Sequence, residues 1–388
     1  MSGPTRRHSA LRPLAALAVS VVLALAGCSF GAPDETESGE SPNLPTPSAS
    51  PSAPGGSAED DGVGVQVLAK NLQVPWGLAF LPDGNALLTE RDTRRILQVT
   101  PGGRVSPVQT ITDAYSGGEG GLLGIAVSPK YATDKTVFLY YTTRTDNRIA
   151  SLVLGQQPVP IVTGIPVSGI HNGGRLAFGP DGYLYAGTGD ASERGRSQDV
   201  KSLGGKILRM TTAGKPAPGN PYPNSLVWSR GHRNVQGLAW DSKKRLWATE
   251  FGQNQFDEVN LITKGGNYGW PTVEGKGTDK RFTNPVITWS TDEASPSGAV
   301  VVGSNLLVAA LKGERLWVVT LDPESGTVEG DPRPLLQNKY GRLRTVVSAP
   351  DGSVWVTTSN RDGRGQPTVD DDRILRIIPP GSSGVDVL

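Results

Sequence analysis

Short apolar runs separated by polar turns recur along most of this chain, and few stretches have the longer period of a helix. One repeated unit consists of an apolar run, a turn and further apolar runs. Copies of this unit begin at 78-LAFLPDGNALLTE, 125-IAVSPKYATDKTVFLYYT, 176-LAFGPDGYLYAGTGD and 238-LAWDSKKRLWATE. Weaker copies begin at 303-GSNLLVAALKGERLWVVTLD and 346-VVSAPDGSVWVTTS. Several copies end in another apolar strand, as in 95-RILQV, 206-KILRM, 258-EVNLI and 373-RILRII. Because Pro-Asp-Gly turns between β-rich runs are typical of hairpins, the pattern predicts repeated antiparallel β-structure.

The spacing of these units predicts the fold class. Copies recur every roughly 45 to 65 residues, the range of propeller blades with inserted loops. We therefore expect an all-β protein, a six-bladed β-propeller of four-stranded antiparallel blades, over residues 63–388. The 50 glycines and 31 prolines agree with many turns. Loops on one face of a propeller converge on its axis, so a binding site is expected there.

The N-terminus has the pattern of an export signal over residues 1–27. Arg6, Arg7 and Arg12 precede an apolar stretch that is short for a membrane span. It ends in 25-LAGC-28, which resembles the lipobox of bacterial lipoproteins. Cys28 is the only cysteine, so an intrachain disulfide is impossible, and we expect it to carry lipid. The alternative is an ordinary secretory signal with an incidental cysteine.

Residues 28–62 are expected to be a disordered tether. From residue 29 to 62 there are seven acidic residues, no basic ones and many Pro, Ser and Gly. Such a segment buries too little apolar surface to offset its ordering entropy. We therefore expect the protein to be exported and then anchored by its lipid to the outer face of the bacterial cell membrane. The sequence does not decide between a Sec and a Tat export route.

The charge balance limits the partners. Lys plus Arg number 38 and Asp plus Glu 37, which argues against nucleic acid as the main partner.

Seven segments in or between the predicted strands contain residues that turn formation alone does not explain. They are 119-EGGLLG-124, 170-IHNGGRL-176, 231-GHRNVQGLAW-240, 249-TEFGQNQFDEVNLI-262, 264-KGGNYGW-270, 311-LKGERLW-317 and 341-GRLRTVV-347. In content and order they resemble the soluble PQQ-dependent sugar dehydrogenases, the glucose/sorbosone dehydrogenase family of six-bladed propellers. The resemblance extends over nearly all of residues 66–379. It implies oxidation of the anomeric hydroxyl of aldose sugars to lactones, with PQQ and Ca²⁺ as cofactors and an electron acceptor that it does not identify.

The resemblance also implies catalytic roles. His171 matches the general base, and a histidine suits that role because its reference pKa is about 6.5. Arg233 and Asn234 match residues that face the quinone carbonyls, where the guanidinium of Arg233 would stabilise developing charge.

Further positions match residues that hold the cofactor and calcium. Lys312, Arg342 and Arg344 match cations that bind the three carboxylates of PQQ. The carbonyls of Gly252 and Gln253 match ligands of the calcium ion that also contacts PQQ. The match further implies that Glu258 and Tyr268 lie near a second, structural calcium ion.

Two positions depart from the glucose dehydrogenase branch of the family. Glu119 stands where that branch has a glutamine in contact with the cofactor, and Phe251 stands where it has a polar residue. The Glu119 carboxylate would repel an anionic cofactor unless it is protonated or paired with an arginine.

Other interpretations stay open. His171 could serve only as a turn residue, and Arg342 and Arg344, which alternate along a strand, could lie on an exposed face. Two like charges on one face favour an anionic ligand between them. Loss of PQQ would leave a propeller that only binds a sugar or a cell-envelope partner. A calcium-dependent lactonase would need a ring of acidic and amide side chains, which the sequence does not provide.

Three more expectations concern the loops and the remaining aromatic residues. The mixed charges of 190-DASERGRSQD-199 predict a solvated loop, and His232 is expected to be structural. Most tryptophans are expected to pack within blades. Trp76 and Trp270, which are expected to lie in loops next to Gly and Pro, are the exceptions.

Overall fold

The computed structural model describes residues 64–378, together with Gly3. Apart from Gly3, the predicted signal at 1–27, Cys28 and the tether at 28–62 lie outside the described residues. Among the described residues, no helix has the length and apolar character needed to cross a membrane.

Twenty-four β-strands make up almost all of the regular structure between residues 64 and 378. In chain order they are β1 (Gly64–Ala69), β2 (Pro75–Phe80), β3 (Ala86–Glu90), β4 (Arg95–Val99), β5 (Val105–Thr110), β6 (Leu122–Val127), β7 (Thr136–Thr142), β8 (Asn147–Val153), β9 (Val159–Ile165), β10 (Leu176–Phe178), β11 (Leu184–Gly187), β12 (Lys206–Met210), β13 (Val227–Arg230), β14 (Val235–Trp240), β15 (Leu246–Glu250), β16 (Phe256–Ile262), β17 (Ile287–Ser290), β18 (Pro296–Val302), β19 (Asn305–Ala310), β20 (Arg315–Thr320), β21 (Arg333–Leu335), β22 (Leu343–Ser348), β23 (Val354–Thr358) and β24 (Ile374–Ile378). A short α-helix, α1 (Tyr131–Asp134), and one 3-10 turn (Arg194–Ser197) complete the list.

The strands form six four-stranded antiparallel sheets, which confirms the predicted six-bladed propeller. Blades 1 to 5 are β2–β5, β6–β9, β10–β13, β14–β17 and β18–β21, and blade 6 is β22–β24 with β1 at its outer edge. Val65 pairs with Ile377 and Val67 with Leu375, so strands from the two ends of the domain close the ring in one sheet.

The repeat units found in the sequence correspond to the hairpins of the blades. The Pro-Asp-Gly turns join the first two strands of blades 1, 3 and 6. The repeat unit that the sequence pattern placed at residue 303 starts one strand too late. Blade 5 begins at Pro296, whereas this unit covers its second and third strands, β19 and β20. The first strand, 296-PSGAVVV-302, lacks the turn signal that marks the other copies, so the sequence pattern missed it.

Apolar side chains between neighbouring blades form the core. One cluster joins Trp247 and Val259 of blade 4 to Leu306 and Val319 of blade 5. These four side chains are fully buried, and each such burial stabilises the fold by about 1.5–3 kcal/mol.

The first strand of each blade lies next to the first strand of the following blade, around the axis. The backbones approach so closely there that some positions require glycine. A Cβ atom on Gly237 would lie 2.4 Å from the carbonyl oxygen of Ser297 in the next blade. The loops that precede these first strands are thereby brought together at one end of the axis.

Candidate active site

Loops from all six blades surround a cleft at the end of the axis where the first strands begin. The cleft is open to solvent, and its volume of about 650 Å³ includes part of that open space. The residues that line it are Trp76, Arg91, Gly118, Glu119, Gly169, Ile170, Gln236, Phe251, Leu311, Arg342, Arg344, Asp362, Gly363 and Arg364. Trp76 lies within β2 rather than in a loop, which corrects the interpretation from sequence.

The cleft carries an excess of positive charge. Its lining contains four arginines and two carboxylates, and the aromatic rings of Trp76 and Phe251 add flat apolar surface. Guanidinium groups bind carboxylates through two parallel hydrogen bonds, so this lining suits a planar ligand with several carboxylates.

His171 lies beside the cleft and pairs with a buried carboxylate. Its side chain is 10% exposed, and its Nδ1 atom is 2.8 Å from Oδ1 of Asp190. His171 is not part of the cleft lining itself, although Gly169 and Ile170 just before it are. Its backbone has φ = 57°, in the left-handed region that only a few non-glycine residues adopt.

Asp190 fixes the protonation of this pair. Its carboxylate is fully buried and also accepts hydrogen bonds from Trp270 Nε1 (2.8 Å) and the backbone amide of Ser192 (2.9 Å). Burial favours a higher pKa for Asp190, but the hydrogen bonds from His171 and Trp270 and the charge of Arg233 outweigh it and lower the pKa. Because an ionised carboxylate can only accept, Nδ1 of His171 carries a proton, and in the neutral ring the lone pair is therefore on Nε2.

The prediction of a solvated loop at 190–199 is therefore wrong at its first residue. Asp190 follows strand β11, nineteen positions after His171 and across one hairpin, so hairpin pairing returns it to the same end of the blade. The mixed charges that follow Asp190 concealed this signal.

Glu119 is ionised and paired. Its Oε1 lies 3.0 Å from Arg364 and its Oε2 accepts the backbone amide of His171 at 2.8 Å. Burial favours a higher pKa for Glu119, but the charge of Arg364 and the hydrogen bond from the backbone amide of His171 outweigh it and lower the pKa. Glu119 lines the cleft, yet both of its oxygens already have protein partners.

Arg342 and Arg344 lie together at the cleft and share one carboxylate. Arg342 is 3.0 Å and Arg344 is 3.1 Å from Oδ2 of Asp362, which is almost completely buried. Burial, offset in part by Asp362, lowers the pKa of Arg344 to about 10. Asp362 neutralises part of this charge from within the protein, so the two like charges do not by themselves require an anionic ligand, although both arginines line the cleft.

Lys312 is placed differently from the two arginines. Its ammonium group lies 2.8 Å from Oδ1 of Asp292, and the two side chains are 41% and 83% exposed. Leu311 lines the cleft, but Lys312 does not.

Arg233 and Asn234 contribute buried donors next to the cleft. Arg233 donates to the carbonyl oxygen of Phe251 at 3.3 Å, and its guanidinium lies 5.5 Å from the ring of Trp270. Asn234 accepts the backbone amide of Gly173 at 2.9 Å. Within the described part of the chain, Nε of Arg233 and Nδ2 of Asn234 have no hydrogen-bond partner. The surroundings of Arg233 and Asn234 therefore offer fewer hydrogen-bond acceptors than donors. Buried donors without a partner are energetically costly.

The loop that contains Gly252 and Gln253 is held by two carboxylates. Asp257 accepts the amide of Gly252 at 2.8 Å, and a single oxygen of Glu274 accepts the amides of residues 253–256. Among residues 64–378, no hydrogen bond to the carbonyl oxygens of Gly252 or Gln253 is found. Both carbonyls are therefore available as oxygen ligands for a hard cation.

A buried polar network lies between β15 and β16. Glu250 accepts hydrogen bonds from His232 Nδ1 (2.7 Å) and Asn260 (2.9 Å), and it pairs across the strands with Glu258. Burial and the charge of Glu250 raise the pKa of Glu258 to about 8. The other ring nitrogen of His232 contacts the hydroxyl of Ser229 at 2.8 Å, so both nitrogens of His232 are engaged.

Tyr268 packs under this network. Its ring stacks on His232 at 4.8 Å, and its hydroxyl donates to the carbonyl of Leu261 at 2.8 Å. No hydrogen bond joins Tyr268 to Glu258 among the residues described. Within the same range, no cluster of three or more His, Cys, Asp or Glu side chains could hold a metal ion, so a cation here would need carbonyl, amide or hydroxyl oxygens in addition to carboxylates.

Comparison with known proteins gives a consistent result. Residues 72–375 match the family described as Glucose / Sorbosone dehydrogenase. The chain is 30% identical over 342 residues to the aldose sugar dehydrogenase YliI of Escherichia coli (strain K12), which covers 78% of this chain and 91% of the relative. It is 27% identical over 442 residues to quinoprotein glucose dehydrogenase B of Acinetobacter calcoaceticus, over 84% of this chain and 91% of the relative.

A solved structure is more similar still. The PQQ-bound form of aldose sugar dehydrogenase from Streptomyces coelicolor is 50% identical, with a TM-score of 0.78 over 81% of this chain and 98% of that chain. Similarity in sequence and in fold therefore extends over most of the propeller.

Proposed function

The chain belongs to the Glucose / Sorbosone dehydrogenase family, and on that premise we propose that it is a PQQ-dependent oxidoreductase that oxidises the anomeric hydroxyl of aldose sugars to lactones. Relatives named as aldose sugar dehydrogenase and quinoprotein glucose dehydrogenase support the class of reaction. The observation that carries the proposal is the His171–Asp190 pair next to a cleft with excess positive charge.

The residues of the cleft fit PQQ, a planar molecule with three carboxylates. Arg342 and Arg344 line the cleft and would bind carboxylates. Arg233 and Asn234 lie next to that lining, with buried donors that have no partner among the described residues, and would face the quinone oxygens. Lys312 could contribute only by leaving Asp292, since its exposed ammonium now pairs there. When bound, PQQ supplies the acceptor for the hydride that leaves C1 of the sugar.

His171 is the proposed general base. The lone pair on Nε2 can take the proton of the anomeric hydroxyl, which makes C1 a better hydride donor. Asp190 keeps the ring in this tautomer and stabilises the imidazolium that forms, in the way a buried carboxylate orients the histidine of a hydrolase triad. The guanidinium of Arg233 stabilises negative charge that develops beside it.

We propose that calcium binds to the free carbonyls of Gly252 and Gln253. Support comes from Asp257 and Glu274, which engage the amides of this loop and leave those two carbonyls without a partner among the residues described. A second, structural calcium ion near Glu258 and Tyr268 stays a prediction; the hydroxyl of Tyr268 is already used by Leu261 and Thr263.

We also propose that the protein is exported and anchored at the outer face of the cell membrane through a lipid on Cys28. The segment 25-LAGC-28 and the acidic tether that follows it support this. Metabolic labelling with a radioactive fatty acid tests it. The wild-type chain should incorporate label, whereas a Cys28→Ser variant should not, and equal labelling of the two would contradict the anchor.

Product analysis tests the proposed reaction. The purified protein, supplied with PQQ, Ca²⁺ and a dye acceptor, is incubated with a panel of aldoses and with the matching sugar alcohols. Aldoses should reduce the dye and yield lactones, and sugar alcohols, which lack an anomeric hydroxyl, should not react. If the protein retains sugars without any turnover, it is a propeller that only binds them.

A further inference from the structure

An ion pair joins two loops that are far apart in the sequence and meet at the cleft. Arg364, in the loop after β23 of blade 6, lies 3.0 Å from Glu119, in the loop before β6 of blade 2. Both residues line the cleft. The pair therefore spans the end of blade 1 and links the two blades on either side of it.

Glu119 connects this ion pair to the backbone of His171. While one carboxylate oxygen faces Arg364, the other accepts the amide of His171 at 2.8 Å. The amide of Glu119 in turn donates to the carbonyl of Gly169 at 2.8 Å. Gly118 permits this contact, since its φ is +56° and a Cβ there would lie 2.1 Å from the same carbonyl oxygen. The loop of Glu119 is thus held directly against the segment that leads to His171.

His171 needs such support because its backbone conformation is unfavourable. A histidine at φ = 57° is in a sparsely populated region, which persists where neighbouring contacts hold it. Glu119 holds its amide, and the amide of Ala191 donates to its carbonyl at 3.2 Å. Both contacts fix the direction in which the imidazole leaves the backbone.

Charge gives Arg364 a second role. An unpaired carboxylate at residue 119 would repel any polyanion in the cleft, and Arg364 cancels that charge from its position in the same lining. We propose that Arg364 is a positioning residue for the sugar oxidation. It neutralises Glu119 toward the anionic cofactor and holds Glu119 on the amide of His171. The first of these roles rests on the proposed function, whereas the second depends only on the protein.

The test uses three variants of the full chain, Arg364→Met, Glu119→Gln and the double variant, with Gln366→Met as a matched control on the exposed surface of the same loop. Affinity for PQQ is measured from its absorbance change in the presence of Ca²⁺. Arg364→Met should bind PQQ about tenfold more weakly, because Glu119 loses its counter-ion. The double variant should recover most of the affinity, since its neutral amide no longer repels the ligand.

A double variant that binds PQQ as weakly as Arg364→Met would overturn the neutralising role, because it would mean that Arg364 contacts the cofactor directly. Unchanged affinity in Arg364→Met would overturn it as well. Arg364→Lys, which keeps the charge, should retain affinity close to that of the wild-type protein.

Hydrogen exchange of the His171 amide tests the positioning role without any cofactor. In the apo protein, Arg364→Met should exchange this amide several-fold faster than Gln366→Met, while amides of the blade cores keep their rates. Equal rates at His171 would overturn the positioning role even if PQQ binds as proposed. If the wild-type protein binds no PQQ, the proposed function fails, but the exchange experiment still decides this point.

Discussion

Nδ1 of His171 lies 2.8 Å from the buried carboxylate of Asp190, which also accepts the indole N–H of Trp270. In the neutral imidazole, the ionised carboxylate therefore places the lone pair on Nε2, the atom that can accept a proton. Two loops that the sequence leaves unrelated thus supply the proposed base and the carboxylate that orients it.

Replacement of Asp190 by Asn should remove this control. The amide can donate to Nδ1, which favours the tautomer with its proton on Nε2, so we expect kcat to fall by about 10²-fold or more. PQQ affinity should change little. Steady-state kinetics of Asp190→Asn are compared with those of Asp331→Asn, an exposed carboxylate far along the chain. A kcat within twofold of the control would contradict the role of Asp190.

The two kinds of cation at the site should differ in their effect on the cofactor. Arg342→Met removes a guanidinium that lines the cleft, and we expect PQQ binding to weaken by about 1.5–3 kcal/mol. Lys312→Met removes an exposed ammonium that pairs with Asp292, so its effect should be smaller, about 0–1 kcal/mol. Titration of each apo protein with PQQ measures both values. An equal or larger loss in Lys312→Met would mean that Lys312 swings into the cleft.

The buried carboxyl of Glu258 predicts a pH effect on the apo protein. Because its pKa is raised from 4.5 to about 8 in the folded state, the folded protein binds more protons than the unfolded chain between these values. Its contribution is therefore fully present below pH 4.5 and is lost as the pH rises through about 8. Glu258→Gln, which stays neutral, should remove this loss.

Urea unfolding in the presence of a chelator, at pH values from 5 to 9, tests the prediction. The free energy of unfolding of the wild-type protein should decline relative to that of Glu258→Gln by roughly 4 kcal/mol over this range. Parallel pH profiles for the two proteins would show that Glu258 is not protonated in the fold.

The architecture could be predicted from the sequence because its signals are local. Hairpin turns such as 82-PDG-84 and third strands such as 206-KILRM lie within one blade, and six copies imply the closed ring. The pairing of β1 with β24, which completes blade 6, could not be predicted from the sequence. It joins strands some 300 residues apart that have no complementary pattern.

The site could be predicted only in part, for the same physical reason. The motifs locate His171, Arg342 and Arg344, but the partners that set their charge come from other loops. Arg364 pairs with a residue 245 positions away, and nothing in 361-RDGRGQ-366 distinguishes it from a solvated loop. Whether a carboxylate is exposed or holds a histidine depends on the packing of the blades.

The most direct test of the proposed function combines binding of PQQ with reduction of the bound PQQ by the sugar. Wild-type protein and His171→Ala are each titrated with PQQ in the presence of Ca²⁺, followed by absorbance, and then mixed rapidly with an aldose. We predict that both bind PQQ with similar affinity and that the alanine variant is reduced about 10²- to 10⁴-fold more slowly. No saturable binding by the wild-type protein would contradict the proposed function, and equal rates of reduction in the two proteins would contradict the role of His171 as base.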